Sequence, residues 1–264
     1  MIKNKTIVLT GASSGIGLEV LKLLYAEPTN KILAVSRRAE EKLGFVADNV
    51  YVYNADVSTR EGVDKIFEKA NEVFEGRKID IFYANAGFPY YEEYNYTNWE
   101  RILKIFETNA ISPMYTYGKY LHHLDGREGH LCYTVSAIGQ MAVPGYALYS
   151  ATKFALNGFQ QAMRWEKPGN IKMTCLYPIA TNTNFFKVAN PVEFEWPFPV
   201  QQPNVVARKM VAAMEAGKKY VFPSTLYSFS KVLMGVCPPV RTVYLKLEND
   251  KLERFKKKLK EMHK

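Results

Sequence analysis

Apolar residues fall into two kinds of pattern along the chain. Short continuous runs recur at Thr6–Leu9, Lys31–Ser36, Val50–Asn54, Ile79–Ala84, His130–Val135 and Ile171–Leu176, with a last brief one at Lys219–Phe222. Runs of this length without alternation suit strands covered on both faces, as in a parallel sheet. The second pattern repeats at three- and four-residue steps and predicts helices. One carries Leu18, Val20, Leu21, Leu23 and Leu24 and stops before Pro28. A long one over Asn98–Leu124 carries Trp99, Ile102, Leu103, Ile105 and Phe106, and a C-terminal one over Leu245–Met262 carries Leu252, Phe255, Leu259 and Met262. Residues 184–203 fit neither pattern. Four prolines interrupt Phe185, Phe186, Phe194, Trp196 and Phe198 there, so regular structure is not expected, and the stretch suits either a substrate lid or aromatic residues packed as local core.

A length of 264 residues with 47% apolar and 23% charged content fits a single α/β domain over residues 1–264. The first five residues lead straight into the first strand, which leaves no room for a signal peptide. Leu226–Val240, the most apolar late segment, carries Lys231 and the Pro238-Pro239 pair and is too short to cross a bilayer. Cys132, Cys175 and Cys237 and the four histidines show no metal-ligand spacing. Buried reduced thiols in a cytoplasmic protein, with no metal, are the expectation. Charge changes the picture at one place only. The net charge is +9, and from Lys218 onward twelve Lys and Arg stand against four Asp and Glu. Residues 241–264 therefore read as a basic amphipathic helix. It could dock on an acidic membrane surface or partner, or pack on the domain with its lysines in water. Nothing else suggests a nucleic-acid reader.

Two stretches carry chemistry. The first strand runs into Thr10-Gly11-Ala12-Ser13-Ser14-Gly15-Ile16-Gly17 and then a helix. Glycines there let the backbone approach a pyrophosphate, and the helix start offers free N–H groups to the anion, so the unit predicts a dinucleotide site. The second strand ends in Ser36-Arg37-Arg38. An NAD site would place a carboxylate there for the ribose 2′-hydroxyl. Arg37 instead offers a planar fork of donors suited to a 2′-phosphate, although both arginines could be ordinary loop residues beside Glu40 and Glu41. In the second stretch, Ser136 closes a strand and Tyr149 and Lys153 lie four residues apart, on one face of a helix. A fixed ammonium beside a phenol favours the phenolate, and a Tyr so tuned can act as a general acid or base.

Tyr-x-x-x-Lys with a Ser thirteen residues before the Tyr, together with Gly-x-x-x-Gly-x-Gly after the first strand, resembles the short-chain dehydrogenase/reductase family. The resemblance covers about Lys5 to Thr183. It implies a doubly wound, mainly parallel, Rossmann-like sheet in the order 3-2-1-4-5-6-7, and reversible hydride transfer between NADP(H), rather than NAD(H), and a carbonyl or alcohol; the aromatic loop suggests that this substrate is apolar. It assigns Tyr149 to proton transfer, Lys153 to tuning the phenol and holding the nicotinamide ribose, Ser136 to the substrate oxygen, and Asn109 to a water relay. Asp56 and Val57 would meet the adenine, with Ser58 capping the next helix. Asn85-Ala86-Gly87 matches the family's Asn-Ala-Gly, in which the Asn ties the central strands together. Pro178, Ile179, Thr181 and Thr183 match a loop near the nicotinamide, with Ile179 where the family keeps Gly. Relatives are commonly dimers or tetramers. Two rivals stand beside this reading: a non-redox hydrolase using the Ser136 and Tyr149 hydroxyls, and an NADP(H)-binding regulator or membrane-docked module without turnover.

Overall fold

The apolar runs become seven strands: β1 (Thr6–Thr10), β2 (Lys31–Ser36), β3 (Val50–Asn54), β4 (Ile81–Ala84), β5 (Gly129–Thr134), β6 (Ile171–Leu176) and β7 (Tyr220–Val221). In the computed structural model, which describes residues 1–44, 46–185, 190 and 192–262, they pair throughout in parallel as β3-β2-β1-β4-β5-β6-β7. Alternate side chains divide between two cores. Ile7, Leu9, Ile32 and Ala34 face one layer, and Val8, Leu33 and Val35 face the other. Helices α1 (Gly15–Tyr25) and α7 (Pro203–Glu215) cover the first layer through Val20, Leu21, Val206 and Met210. Helices α3 (Arg60–Val73), α5 (Ser112–Leu124) and α6 (Ala147–Glu166) cover the second through Ile66, Tyr120 and Leu156. Because both faces are covered, these strands read as continuous apolar runs.

Several boundaries differ from the sequence expectations. β4 starts two residues later than Ile79, and β7 is only two residues long. The helix expected over Asn98–Leu124 is divided: α4 (Trp99–Phe106) leads into a π-helical turn at Glu107–Ile111 and then into α5. Such a wider turn re-aims a side chain without ending the helix, and the side chain re-aimed here is Asn109. Thr59, not Ser58, caps α3, its hydroxyl accepting from the Gly62 N–H at 3.0 Å, while Ser58 donates to Asp56. A short α2 (Ala39–Leu43) follows Arg38.

The apolar segment after Phe222 forms a helix of its own, α8 (Thr225–Val236), which turns directly into α9 (Pro238–Met262). The proline pair sits in the first turn of α9, where a missing N–H costs nothing. Leu252, Phe255 and Leu259 pack with Tyr91, Tyr146 and Phe194 rather than facing solvent, whereas Met262 is exposed. Part of the tail's positive charge is also committed within the chain. Arg254 makes two bonds to Glu195, at 2.7 and 2.9 Å, Lys256 pairs with Glu93, and Lys251 pairs with the buried Glu248 and donates to the Trp196 carbonyl. The helix thus straps the 192–202 segment, which is irregular as its prolines require. No helix among the described residues is long and apolar enough to cross a membrane.

Candidate active site

One groove of about 430 Å³ runs across the carboxyl ends of the strands. At one end lie Arg37, Arg38 and Lys42; the middle is floored by Gly11, Ser13–Gly17, Asp56, Val57 and Asn85–Gly87; the other end holds Ser136, Tyr149 and Lys153. Ser36, Pro178, Ile179, Thr181 and Thr183 also line it. Of the residues singled out in the sequence, Thr10 and Asn109 do not reach the groove and support it from behind. The Thr10 hydroxyl accepts from the N–H groups of Asn85 and Ala86, both at 3.1 Å. Asn85 donates to the Thr10 carbonyl at 3.1 Å and accepts from the Thr134 hydroxyl at 2.9 Å. Its side chain therefore ties the ends of β1, β4 and β5 together, as the resemblance implied.

The glycine turn has the geometry that brings a backbone close to an anion. Gly11 and Gly15 have φ of +67° and +55°, and a Cβ on Gly17 would stand 2.2 Å from the Gly11 carbonyl oxygen. Ser14 begins α1 and makes no side-chain cap bond, so the first N–H groups of the helix are left for a ligand. At the far end of β2, Arg38 lies 3.6 Å from Glu41, and Glu40 is held by Asn54 through two hydrogen bonds. Arg37 makes no ion pair among the described residues. The nearby Ser36 hydroxyl is buried with no partner. An orphaned hydroxyl, an uncommitted guanidinium and a glycine cradle together fit a phosphorylated nucleotide cofactor. Ile179 fills the family's Gly position without strain, since its φ is not among the positive ones.

At the other end, the first two turns of α6 and the turn after β5, where Ser136 stands two residues past the strand end at Thr134, bring three polar groups together. Ser136 has φ +109° and ψ 149°, a region that side-chain-bearing residues rarely enter. Its hydroxyl donates to the Pro178 carbonyl and accepts from the Ile138 N–H, both at 3.3 Å. Tyr149 is buried beside Phe185, and Lys153, also buried, donates to the Thr134 carbonyl at 3.0 Å with its Nζ 5.8 Å from the Tyr149 ring centre. Burial decides both titrations. It pushes the Tyr149 phenol up, opposed by the neighbouring Ser136 hydroxyl, and it lowers Lys153 to about 7. The sequence argument expected the ammonium to pull the phenol down. Here burial dominates both groups, and no carboxylate contacts Lys153 among the described residues to hold its charge.

Asn109 reaches past the groove floor from the π-helical turn. Its amide donates to the Phe88 carbonyl at 2.8 Å and to the Thr152 hydroxyl at 3.2 Å, and its oxygen accepts from the Phe88 N–H at 3.0 Å. It clamps the chain after Gly87 beneath Lys153. The sequence reading passed over the other groove residues. Lys104 and Thr108 flank its middle, and Met141, Val143, Tyr227, Met234 and Tyr244 line the end beyond Tyr149. No motif marks them. An amphipathic pattern in α8 and α9 was the only available signal, and it cannot say which side chain meets a groove. Of the aromatic loop, Phe194 stacks on Tyr91 at 4.2 Å as core, while Phe185 and the exposed Phe198 border the groove; Phe186 lies outside the described residues.

A profile of the short chain dehydrogenase family matches residues 5–193. The chain belongs to that family. Rat 17-beta-hydroxysteroid dehydrogenase 13 is 30% identical over 247 residues, covering 88% of this chain and 79% of the relative. A 3-ketodihydrosphingosine reductase of Dictyostelium discoideum is 26% identical over 251 residues, covering 84% and 69%. In fold, a short chain dehydrogenase of Burkholderia cenocepacia solved with NADP superimposes with a TM-score of 0.77 at 19% identity, covering 92% of this chain and 99% of that one. The short-chain dehydrogenase assignment accounts for a nicotinamide-nucleotide groove at the carboxyl edge of the sheet, and marks the chain as an oxidoreductase.

Proposed function

We propose that the protein is an NADP(H)-dependent oxidoreductase acting on an apolar carbonyl or alcohol. The observation that carries this reading is the convergence of Ser136, Tyr149 and Lys153 at the end of a groove whose opposite end holds an uncommitted Arg37. A nicotinamide bound in the groove would supply or take up the hydride. Arg37 would bind the 2′-phosphate, since Arg38 and Glu40 are engaged elsewhere. The N–H groups at the start of α1 would hold the pyrophosphate, Asp56 and Val57 would border the adenine, and Thr181 and Thr183 would face the nicotinamide.

The Ser136 hydroxyl orients the substrate oxygen beside the phenol. With its phenol held protonated by burial, Tyr149 donates to a carbonyl oxygen as charge develops there. Lys153, close to half-protonated near neutral pH, returns the proton, and Asn109 fixes the backbone beneath it. Beyond Tyr149 the walls are Met141, Val143, Phe198, Tyr227, Met234 and Tyr244, whose mainly apolar side chains fit an apolar body. The names of the two relatives, a hydroxysteroid dehydrogenase and a ketodihydrosphingosine reductase, agree with such a substrate. Within the candidate lid at residues 184–203, of which 186–189 and 191 lie outside the described residues, Glu195 and Trp196 are held by α9. A hydrolytic use of Ser136 has less support: its hydroxyl donates to the Pro178 carbonyl and the Lys153 ammonium to the Thr134 carbonyl, so no nucleophile and base are paired among the described groove residues.

The test is oxidation of NADPH and of NADH with a panel of apolar ketones and aldehydes. Wild type is expected to turn over with NADPH preferred, Tyr149→Phe to lose on the order of 10²–10⁴-fold in kcat, and Arg37→Asp to shift preference toward NADH. Unchanged turnover in Tyr149→Phe would refute the proposal.

A further inference from the structure

The two helices that close the substrate end of the groove present bare apolar outer faces. Tyr227, Ser230, Met234 and Tyr244 point inward and line the groove. On the other side of α8, Leu226, Phe229, Val232 and Val236 stand in solvent at three- and four-residue steps, and Val243 and Leu247 continue the exposure on α9. Phe229 is 68% exposed, Val232 66% and Val236 77%. A chain exposes an isolated apolar residue freely, but a stripe of this kind is normally covered in use. From Thr225 to Leu247 there is no Asp or Glu, while Lys231, Arg241 and Lys246 are all exposed. Lys231 lies over the Phe222 ring, and Arg241 and Lys246 make no ion pair among the described residues. Farther along α9, Lys251, Arg254 and Lys256 are paired within the chain, and Lys257, Lys258 and Lys260 are exposed beside a stripe that the domain already covers.

We propose that this face, the outer side of α8 with the start of α9, docks on an anionic lipid surface. Phe229, Val232 and Val236 enter the acyl boundary and Arg241 and Lys246 meet the headgroups, a combination that supplies the two attractions a surface-bound helix needs. The charge pattern argues against a second copy as the occupant. A two-fold contact would bring together two faces that both carry cations and no carboxylate. The docked pose places the lipid one helix away from the apolar end of the groove, so an apolar substrate partitioned into lipid arrives beside Tyr149. The contact differs from docking through the stripe of Leu252, Phe255 and Leu259, which the domain already covers. It also stands apart from the proposed chemistry, because its test reads binding and not turnover.

The full chain is sedimented with vesicles of phosphatidylcholine alone and of phosphatidylcholine with phosphatidylserine. Wild type is expected to bind the second and not the first, with binding weakened by salt. The Phe229→Ser/Val232→Ser variant is expected to lose roughly tenfold or more in partition, and Arg241→Gln/Lys246→Gln about 25-fold. Both should keep the wild-type circular dichroism and thermal midpoint, because the replaced side chains are exposed. The proposal is overturned if wild type ignores anionic vesicles or if both folded variants bind as wild type does. It is equally overturned if ultracentrifugation shows a dimer that Phe229→Ser/Val232→Ser converts to monomer.

Discussion

Ser136 holds its backbone where only glycine is at ease, and that allows strain to be weighed against chemistry at one residue. Replacing it by Ala or by Gly removes the same hydroxyl, with its bonds to Pro178 and Ile138. The two variants therefore differ in the backbone alone. At an ordinary position Ala is the more stable, by roughly 0.4–1 kcal/mol, because Gly leaves the unfolded chain more freedom. At φ +109° and ψ 149° a side-chain-bearing residue carries strain of about 1–3 kcal/mol, which Gly releases. The strain exceeds the entropy difference, so the usual order should reverse. Ser136→Gly is expected to be more stable than Ser136→Ala by about 1 kcal/mol, which for a chain of this size is roughly 2–4 °C in thermal midpoint. Both variants should be poor catalysts. Urea midpoints and thermal scans of the pair provide the measurement. A Ser136→Ala protein as stable as, or more stable than, Ser136→Gly would show that the turn is not strained and that the fold does not force the hydroxyl into place.

Acid should unfold the protein partly through His130. Thr174 spends its own proton on the Lys218 carbonyl, so the His130 Nε2 donates to the Thr174 hydroxyl at 2.7 Å, and burial lowers the ring from 6.5 to about 4. Between those values the unfolded chain binds the proton and the folded one does not, so stability is intact above pH 6.5 and is lost as pH falls toward 4. His130→Gln should remove on the order of 1–3 kcal/mol of that acid loss, read as a flatter urea midpoint across the window; an unchanged slope would contradict it. At the glycine turn, Gly17→Ala places a Cβ 2.2 Å from the Gly11 carbonyl. A shift of α1 or of the turn is then required, at about 1–3 kcal/mol, and calorimetric titration with NADPH should show weakened binding; wild-type affinity would mean the turn yields freely.

Much of this protein was legible in one dimension because its signals are local. The uninterrupted apolar runs, the glycine turn and the four-residue step from Tyr149 to Lys153 each depend on residues close in the chain, where backbone geometry sets which groups are neighbours. Together with the family resemblance they indicated the parallel sheet and the dinucleotide turn, but not the groove residues beyond Tyr149. What depended on distant segments was not accessible. The π-helical turn at Asn109 arises where α4 and α5 must both pack while the amide reaches Phe88 and Thr152. The upward shift of the Tyr149 phenol comes from how much of the chain closes over it, a property no tyrosine-lysine spacing contains. The C-terminal stripe could equally have faced lipid or protein, because periodicity reports that a face is apolar and not what it meets. Only the assembled molecule shows Leu252 and Phe255 against Tyr91 and Tyr146, and leaves Phe229 and Val232 outside.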